Sequence, residues 1–190
     1  MKERLLDELK CYPVFSVRDI ANILNLGRNY AYQVAFRMKK AGAIFEIEKG
    51  KYSIEDDPFL IASWIIWPSY ISGYAALSYH KMTDQLPFTI HVVTTRKRKK
   101  KIIIYMNTRI EFIRMKKSAF FGFQRIVQNK REMFIAEPEK AILDAIAAKK
   151  MSFEEAVDIV KTNRKISRKK LFSYAGAFKG IAKKLKKMVG

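Results

Sequence analysis

The feature that most constrains this chain is a change of hydrophobic period between residues 2 and 54. Leu5, Leu6 and Leu9 recur at helical spacing over 2–10, and Pro13 stops that helix soon afterwards. Ser16 with Asp19 three residues on has the form of an N-cap and its acidic partner, and Val17, Ile20, Ala21 and Leu24 follow on one face. After the short turn Asn25-Leu26-Gly27, helical periodicity resumes at Arg28, runs through Ala31, Val34, Ala35 and Met38, and ends at Ala41-Gly42. The period then drops to that of strands at 43–48 and 51–54, separated by Lys49-Gly50, which predicts a tight antiparallel hairpin. Three helices with a tight turn between the last two, followed by a hairpin, make residues 1–57 a winged helix-turn-helix.

Past the acidic hinge Glu55-Asp56-Asp57-Pro58 the composition becomes aromatic, with Trp64 and Trp67, and a second domain is placed at 58–190. The spacing predicts a helix over 58–66, broken by Trp67-Pro68, and another over 72–79. Five β-type segments at 88–95, 101–106, 110–115, 120–127 and 132–136 predict a mostly antiparallel sheet. Pro138 suits the first turn of a helix carrying Ile142, Leu143, Ile146 and Ala147, and further helices are expected at 152–162 and from 167 onward. The predicted class is α+β. With no fixed-period repeat and no Gly- or Ser-rich linker, the two parts should be closely coupled.

Charge narrows the partners. The 190 residues carry 38 Lys plus Arg against 18 Asp plus Glu, a net +20. Residues 1–57 hold ten basic and nine acidic groups, 58–150 seventeen and six, and 151–190 eleven and three. Such a field concentrates polyanions. One cysteine, Cys11, forms no internal disulfide, and with His80 and His91 it is too few for a structural zinc site, so an intracellular, cytoplasmic chain without metal or cofactor is expected. Residues 1–10 lack a signal-peptide pattern, and the apolar stretch 58–68 is too short to span a bilayer. A basic amphipathic C-terminus can lie on an anionic membrane, but its aromatic face is needed for packing, and no membrane partner is expected.

The winged-helix reading makes Arg28, Asn29, Tyr32 and Gln33 the candidate base readers, since the third helix enters the major groove with its N-terminal half. Arginine favours guanine, and Asn or Gln favour adenine. Arg37, Lys39 and Lys40, with Lys49 and Lys51 on the wing, are placed to meet phosphates. Alternatively the unit is a protein-docking module in which Tyr30 and Phe36 pack and the lysines form a solvated face. The run Arg96, Lys97, Arg98, Lys99, Lys100, Lys101 falls between two apolar β segments, which predicts a hairpin tip gripping phosphate by counterion release or merely solvated. Arg168, Lys169 and Lys170 open a second basic surface in the C-terminal helices.

No catalytic constellation emerges. His80 and His91 lack nearby cysteine or paired carboxylates, and there is no Gly-rich phosphate loop. Glu137-Pro138-Glu139-Lys140 matches part of a metal-dependent nuclease element, but no upstream acid completes it and Pro138 argues for a helix start. A non-enzymatic role is expected.

Three segments carry a resemblance: Ser69-Tyr70-Ile71-Ser72-Gly73-Tyr74-Ala75-Ala76-Leu77-Ser78-Tyr79-His80, then Val92-Val93-Thr94-Thr95, then Ala136-Glu137-Pro138-Glu139-Lys140-Ala141-Ile142-Leu143-Asp144. Together with the N-terminal helices they resemble the AbiEi family of antitoxins and transcriptional regulators of type IV toxin–antitoxin systems. The resemblance implies an autorepressor that binds operator repeats in double-stranded DNA and counteracts an AbiEii-type nucleotidyltransferase toxin. Its signature residues read as structural, with Ser72 capping a helix and Lys140 and Asp144 at i, i+4 spacing for a surface ion pair. Other readings are a stand-alone winged-helix regulator, or an RNA- or tRNA-binding protein that uses the basic C-terminal surface.

Overall fold

The computed structural model describes residues 2–84, 87–128, 130–178 and 180–189 and has a mixed α+β architecture. It opens with α1 (Lys2–Leu9), β1 (Phe15–Ser16), α2 (Val17–Leu24), α3 (Arg28–Lys40), β2 (Phe45–Glu48) and β3 (Lys51–Ser53). The predicted start of α2 is a full capping box: Ser16 Oγ accepts from the Asp19 amide, and the Ser16 amide donates to Asp19 Oδ2 at 2.6 Å. Asn25 takes the left-handed conformation (φ 50°) that ends α2 before α3 begins. β1, unpredicted because two residues show no period, pairs with β3, giving a three-stranded sheet in the order β1-β3-β2. Leu5, Leu9, Phe15, Ile20, Val34, Met38 and Ile44 are buried together beneath these elements.

The rest comprises α4 (Pro58–Ile61) running into a 3₁₀ turn at Ala62–Trp64, β4 (Ser69–Ser72), α5 (Gly73–Tyr79), β5 (Thr89–Thr94), β6 (Ile102–Tyr105), β7 (Thr108–Arg114), β8 (Phe123–Gln128), β9 (Arg131–Ala136), α6 (Pro138–Ala147), α7 (Phe153–Thr162), α8 (Arg168–Ala175) and α9 (Ile181–Val189). Six strands form one sheet in the order β6-β7-β5-β4-β9-β8. The pairs β6–β7, β5–β4 and β9–β8 are antiparallel, whereas β7–β5 and β4–β9 are parallel. The sheet is thus rich in antiparallel pairs but mixed, because two crossovers carry the chain back in the same direction. β4 escaped the sequence reading: all four of its residues are buried, so it has no polar alternation.

One correction bears on the site. β5 and β6 are not a hairpin, because β7 lies between them, paired with β5 from Thr89↔Arg109 to Thr94↔Arg114. The basic run therefore crosses the carboxyl end of β7, and the Phe112 amide donates to the Lys101 carbonyl at 2.7 Å. A larger apolar cluster, including Tyr70, Ile71, Val92, Ile110, Ile135 and Leu143, covers both faces of the central strands, since Tyr70 and Ser72 reach Asp144 on α6 and Ile71 between them points to the other face. Ile47, from the β2–β3 hairpin, belongs to that larger cluster, which ties the N-terminal elements to the sheet.

Candidate nucleic-acid interface

Helix α3 buries Ala31, Val34, Ala35 and Met38 and turns Arg28, Asn29, Tyr32, Gln33, Phe36, Arg37, Lys39 and Lys40 outward. All four expected base readers are exposed. The outward residues supply cations, amides and aromatic rings, and α3 contains no acid. Arg28 reaches over the Tyr32 ring, 5.7 Å from its centroid, and its guanidinium is 3.4 Å from the Tyr32 hydroxyl. Arg37 lies 5.7 Å from the centroid of Tyr30, which keeps both flanks of the helix cationic. Phe36 is not a packing residue: it is 67% exposed.

Several of the expected phosphate contacts are already engaged. Lys39 pairs with Glu46 of β2, and that hydrogen bond raises its pKa above the ordinary lysine value. Lys51 Nζ donates to the Ile65 carbonyl at 2.5 Å and lies 3.1 Å from Glu48. Arg98 makes two hydrogen bonds to the Glu48 carboxylate and sits 4.2 Å from the centroid of Phe112. Burial would raise the Glu48 pKa, but Arg98 and Lys51 together hold it below the usual carboxylate range. Lys51 and Arg98 are thus parts of a clasp between the hairpin and the sheet. Tyr105 extends it by donating to the Glu55 carbonyl, and Arg131 pairs with Glu55 at 2.5 Å.

What remains exposed is Lys40 and Arg37 on α3, Lys49 at the hairpin turn, and Arg96, Lys97, Lys99, Lys100 and Lys101 in the crossover. Arg96, Lys97 and Lys101 join Arg114 and Lys150 around a cleft of about 480 Å³ over Phe112 and Ile113. Sequence reasoning missed Arg114 and Lys150, since only the β5–β7 pairing and the end of α6 bring them there. Lys150 bridges to Glu111 at 2.8 Å. In α8, Arg168 and Lys169 are exposed, whereas Lys170 bridges to Glu137 at 2.9 Å, which raises its pKa.

The segments behind the family resemblance meet elsewhere. Lys140 and Asp144 are not a surface pair: their side chains are 0% and 1% exposed and in contact. Nearly every side of α6 is covered, so i, i+4 spacing carried no information about exposure. Lys140 Nζ donates to the Tyr70 hydroxyl at 2.7 Å, which donates to Asp144 Oδ2 at 3.0 Å. Ser72 Oγ donates to the same oxygen at 2.8 Å and does not cap α5. Burial pushes the Lys140 ammonium down and the Asp144 carboxyl up, and their mutual contact opposes both shifts. Every polar atom of this ring has a partner, which suits a structural lock better than a reaction centre.

His91 is buried at 8% exposure with Nδ1 unpartnered, and burial lowers its pKa against the pull of Glu111 at 3.9 Å. Among the described residues no three His, Cys, Asp or Glu side chains cluster as a metal site, and no helix is long and apolar enough to cross a membrane. No protein-family model matches the chain, and no curated protein is significantly similar to it.

Proposed function

We propose that this chain is a DNA-binding transcriptional regulator whose residues 1–57 act as a winged helix-turn-helix, with α3 as the recognition helix. The observation that carries the reading is the outward face of α3, on which Arg28, Asn29, Tyr32 and Gln33 are exposed at its N-terminal half with no acid on the helix. That is where such a helix meets base edges, and Arg, Asn and Gln are the side chains that read them bidentately. Arg37, Lys40, Lys49 and the free cations of the crossover supply phosphate contacts that orient the protein without specifying sequence. Following the AbiEi resemblance, the regulated promoter is the chain's own and the remainder of the molecule counteracts a nucleotidyltransferase toxin.

Binding of the full-length chain to the DNA upstream of its own gene, with excess nonspecific competitor, tests the regulator reading. Expected is a complex that survives competitor and is lost when Arg28, Asn29 and Gln33 are changed to Ala. Equal binding to upstream and competitor DNA would overturn it. Competition by tRNA at least as strong as by the upstream duplex would instead favour an RNA-binding protein that uses the basic second surface.

A further inference from the structure

Phe36 has no explanation inside the molecule. It is 67% exposed and is not among the apolar side chains packed on the N-terminal core. Scattered apolar residues on a surface are ordinary. The position of this one is not. Successive helical residues turn by about 100°, which puts Asn29, Gln33, Phe36 and Lys40 in one line down the middle of the outward face, opposite Ala31, Val34, Ala35 and Met38. With Tyr32, Gln33 and Arg37 the ring borders a shallow depression of about 460 Å³.

We propose that Phe36 is a specificity-determining residue that packs against the C5 methyl group of a thymine in the major groove, an inference that rests on the DNA-binding reading above. The occupant follows from charge and chemistry. Arg37 borders the same depression, Lys40 follows on the same line of the helix, and α3 itself carries no acid, so the exposed charge beside the ring favours a polyanion. In the major groove the base edges offer donors and acceptors, and thymine alone adds an apolar group. A phenyl ring has neither donor nor acceptor, so pressing it on any other base edge strips water from polar atoms and returns nothing. At about 1.5 Å per residue the ring lies about 4.5 Å beyond Gln33 and about 10.5 Å beyond Asn29 along the axis. On a helix laid along the groove, with base pairs about 3.4 Å apart, the thymine falls roughly one to three steps from the bases those amides read.

The test uses the full-length chain and the duplex it enriches from a randomised pool, with each thymine replaced in turn by deoxyuridine. That exchange removes the methyl group and keeps the base pair. Expected is one position at which uracil weakens wild-type binding about fourfold, the worth of one buried methyl group. Phe36→Ala, whose side chain is too exposed to hold the fold, should bind the thymine duplex more weakly and be indifferent to uracil there, while Phe36→Leu keeps part of the difference. Indifference of the wild type to uracil at every position, with sequence-specific binding intact, overturns the proposal and leaves the regulator reading standing. Failure to enrich any sequence removes both. If sedimentation shows Phe36→Ala splitting a dimer while uracil sensitivity persists, the ring belongs to self-association and the proposal fails.

Discussion

Lys140 is the most consequential single residue outside the candidate interface. Its side chain is fully buried, and its ammonium meets Asp144, the Tyr70 hydroxyl and the rings of Phe121 and Phe178 at 5.3 and 5.2 Å. Removing one member strands the other. Lys140→Met is expected to cost about 3–5 kcal/mol in denaturant unfolding, because Asp144 is then buried without its cation. The double variant Lys140→Met/Asp144→Leu should recover part of that loss while leaving the hydroxyls of Tyr70 and Ser72 without their acceptor. His91 gives a second, independent expectation. Its folded pKa lies below the ordinary histidine value, so the unfolded chain binds the extra proton first as pH falls. Stability is then full above about pH 6.5 and is lost as pH drops from there through the folded pKa. Thermal melts between pH 7.5 and 5 at fixed ionic strength should show this decline, and His91→Gln should flatten it.

Among elements, the crossover between β5 and β6 best separates what sequence can show from what it cannot. Six consecutive cations between apolar segments are visible in the sequence, but the strand that separates β5 from β6 is β7, which comes later in the chain and pairs with both. Local period says where strands are, while their order depends on long-range pairing that no window of sequence contains. Burial on all sides, which leaves no polar alternation to read, hid β4 and the inward placement of Lys140 and Asp144 on α6. By contrast, the capping box of α2, the α2–α3 turn and the Lys49-Gly50 hairpin were legible because local hydrogen bonds and backbone conformation determine them. The run accordingly has two kinds of cation. Arg98→Ala should lower stability by about 1.5–3 kcal/mol through the loss of its bonds to Glu48. Lys99→Ala and Lys100→Ala, both exposed, should leave the melting temperature within error and act only on polyanion affinity. Equal effects of all three on stability would contradict the clasp.

At the scale of the whole molecule, the net charge of +20 overstates the field available to a nucleic acid. Lys39, Lys51, Arg98 and Lys170 face Glu46, Glu48 and Glu137, and those pairs are broken only at the cost of unpairing the carboxylates. The clasp at Glu48 and Glu55 also holds the hairpin against the sheet, so α3, Lys49 and the crossover belong to one connected body. Of the expected phosphate contacts on α3, the hairpin and the crossover, this leaves Arg37, Lys40, Lys49, Arg96, Lys97, Lys99, Lys100 and Lys101. Each phosphate neutralised on duplex DNA contributes about 0.9 to the log–log salt slope, so half to all of this set gives a slope of about −4 to −7. Binding of the full chain to its upstream DNA from 50 to 300 mM salt measures it directly. Lys99→Ala/Lys100→Ala should make the slope shallower by about 1 to 2, whereas Lys51→Ala, already bonded to Ile65 and Glu48, should leave it unchanged. A Lys51→Ala slope that falls as much as the crossover variant's would mean that the clasp opens on DNA and that the hairpin meets the backbone as a free wing.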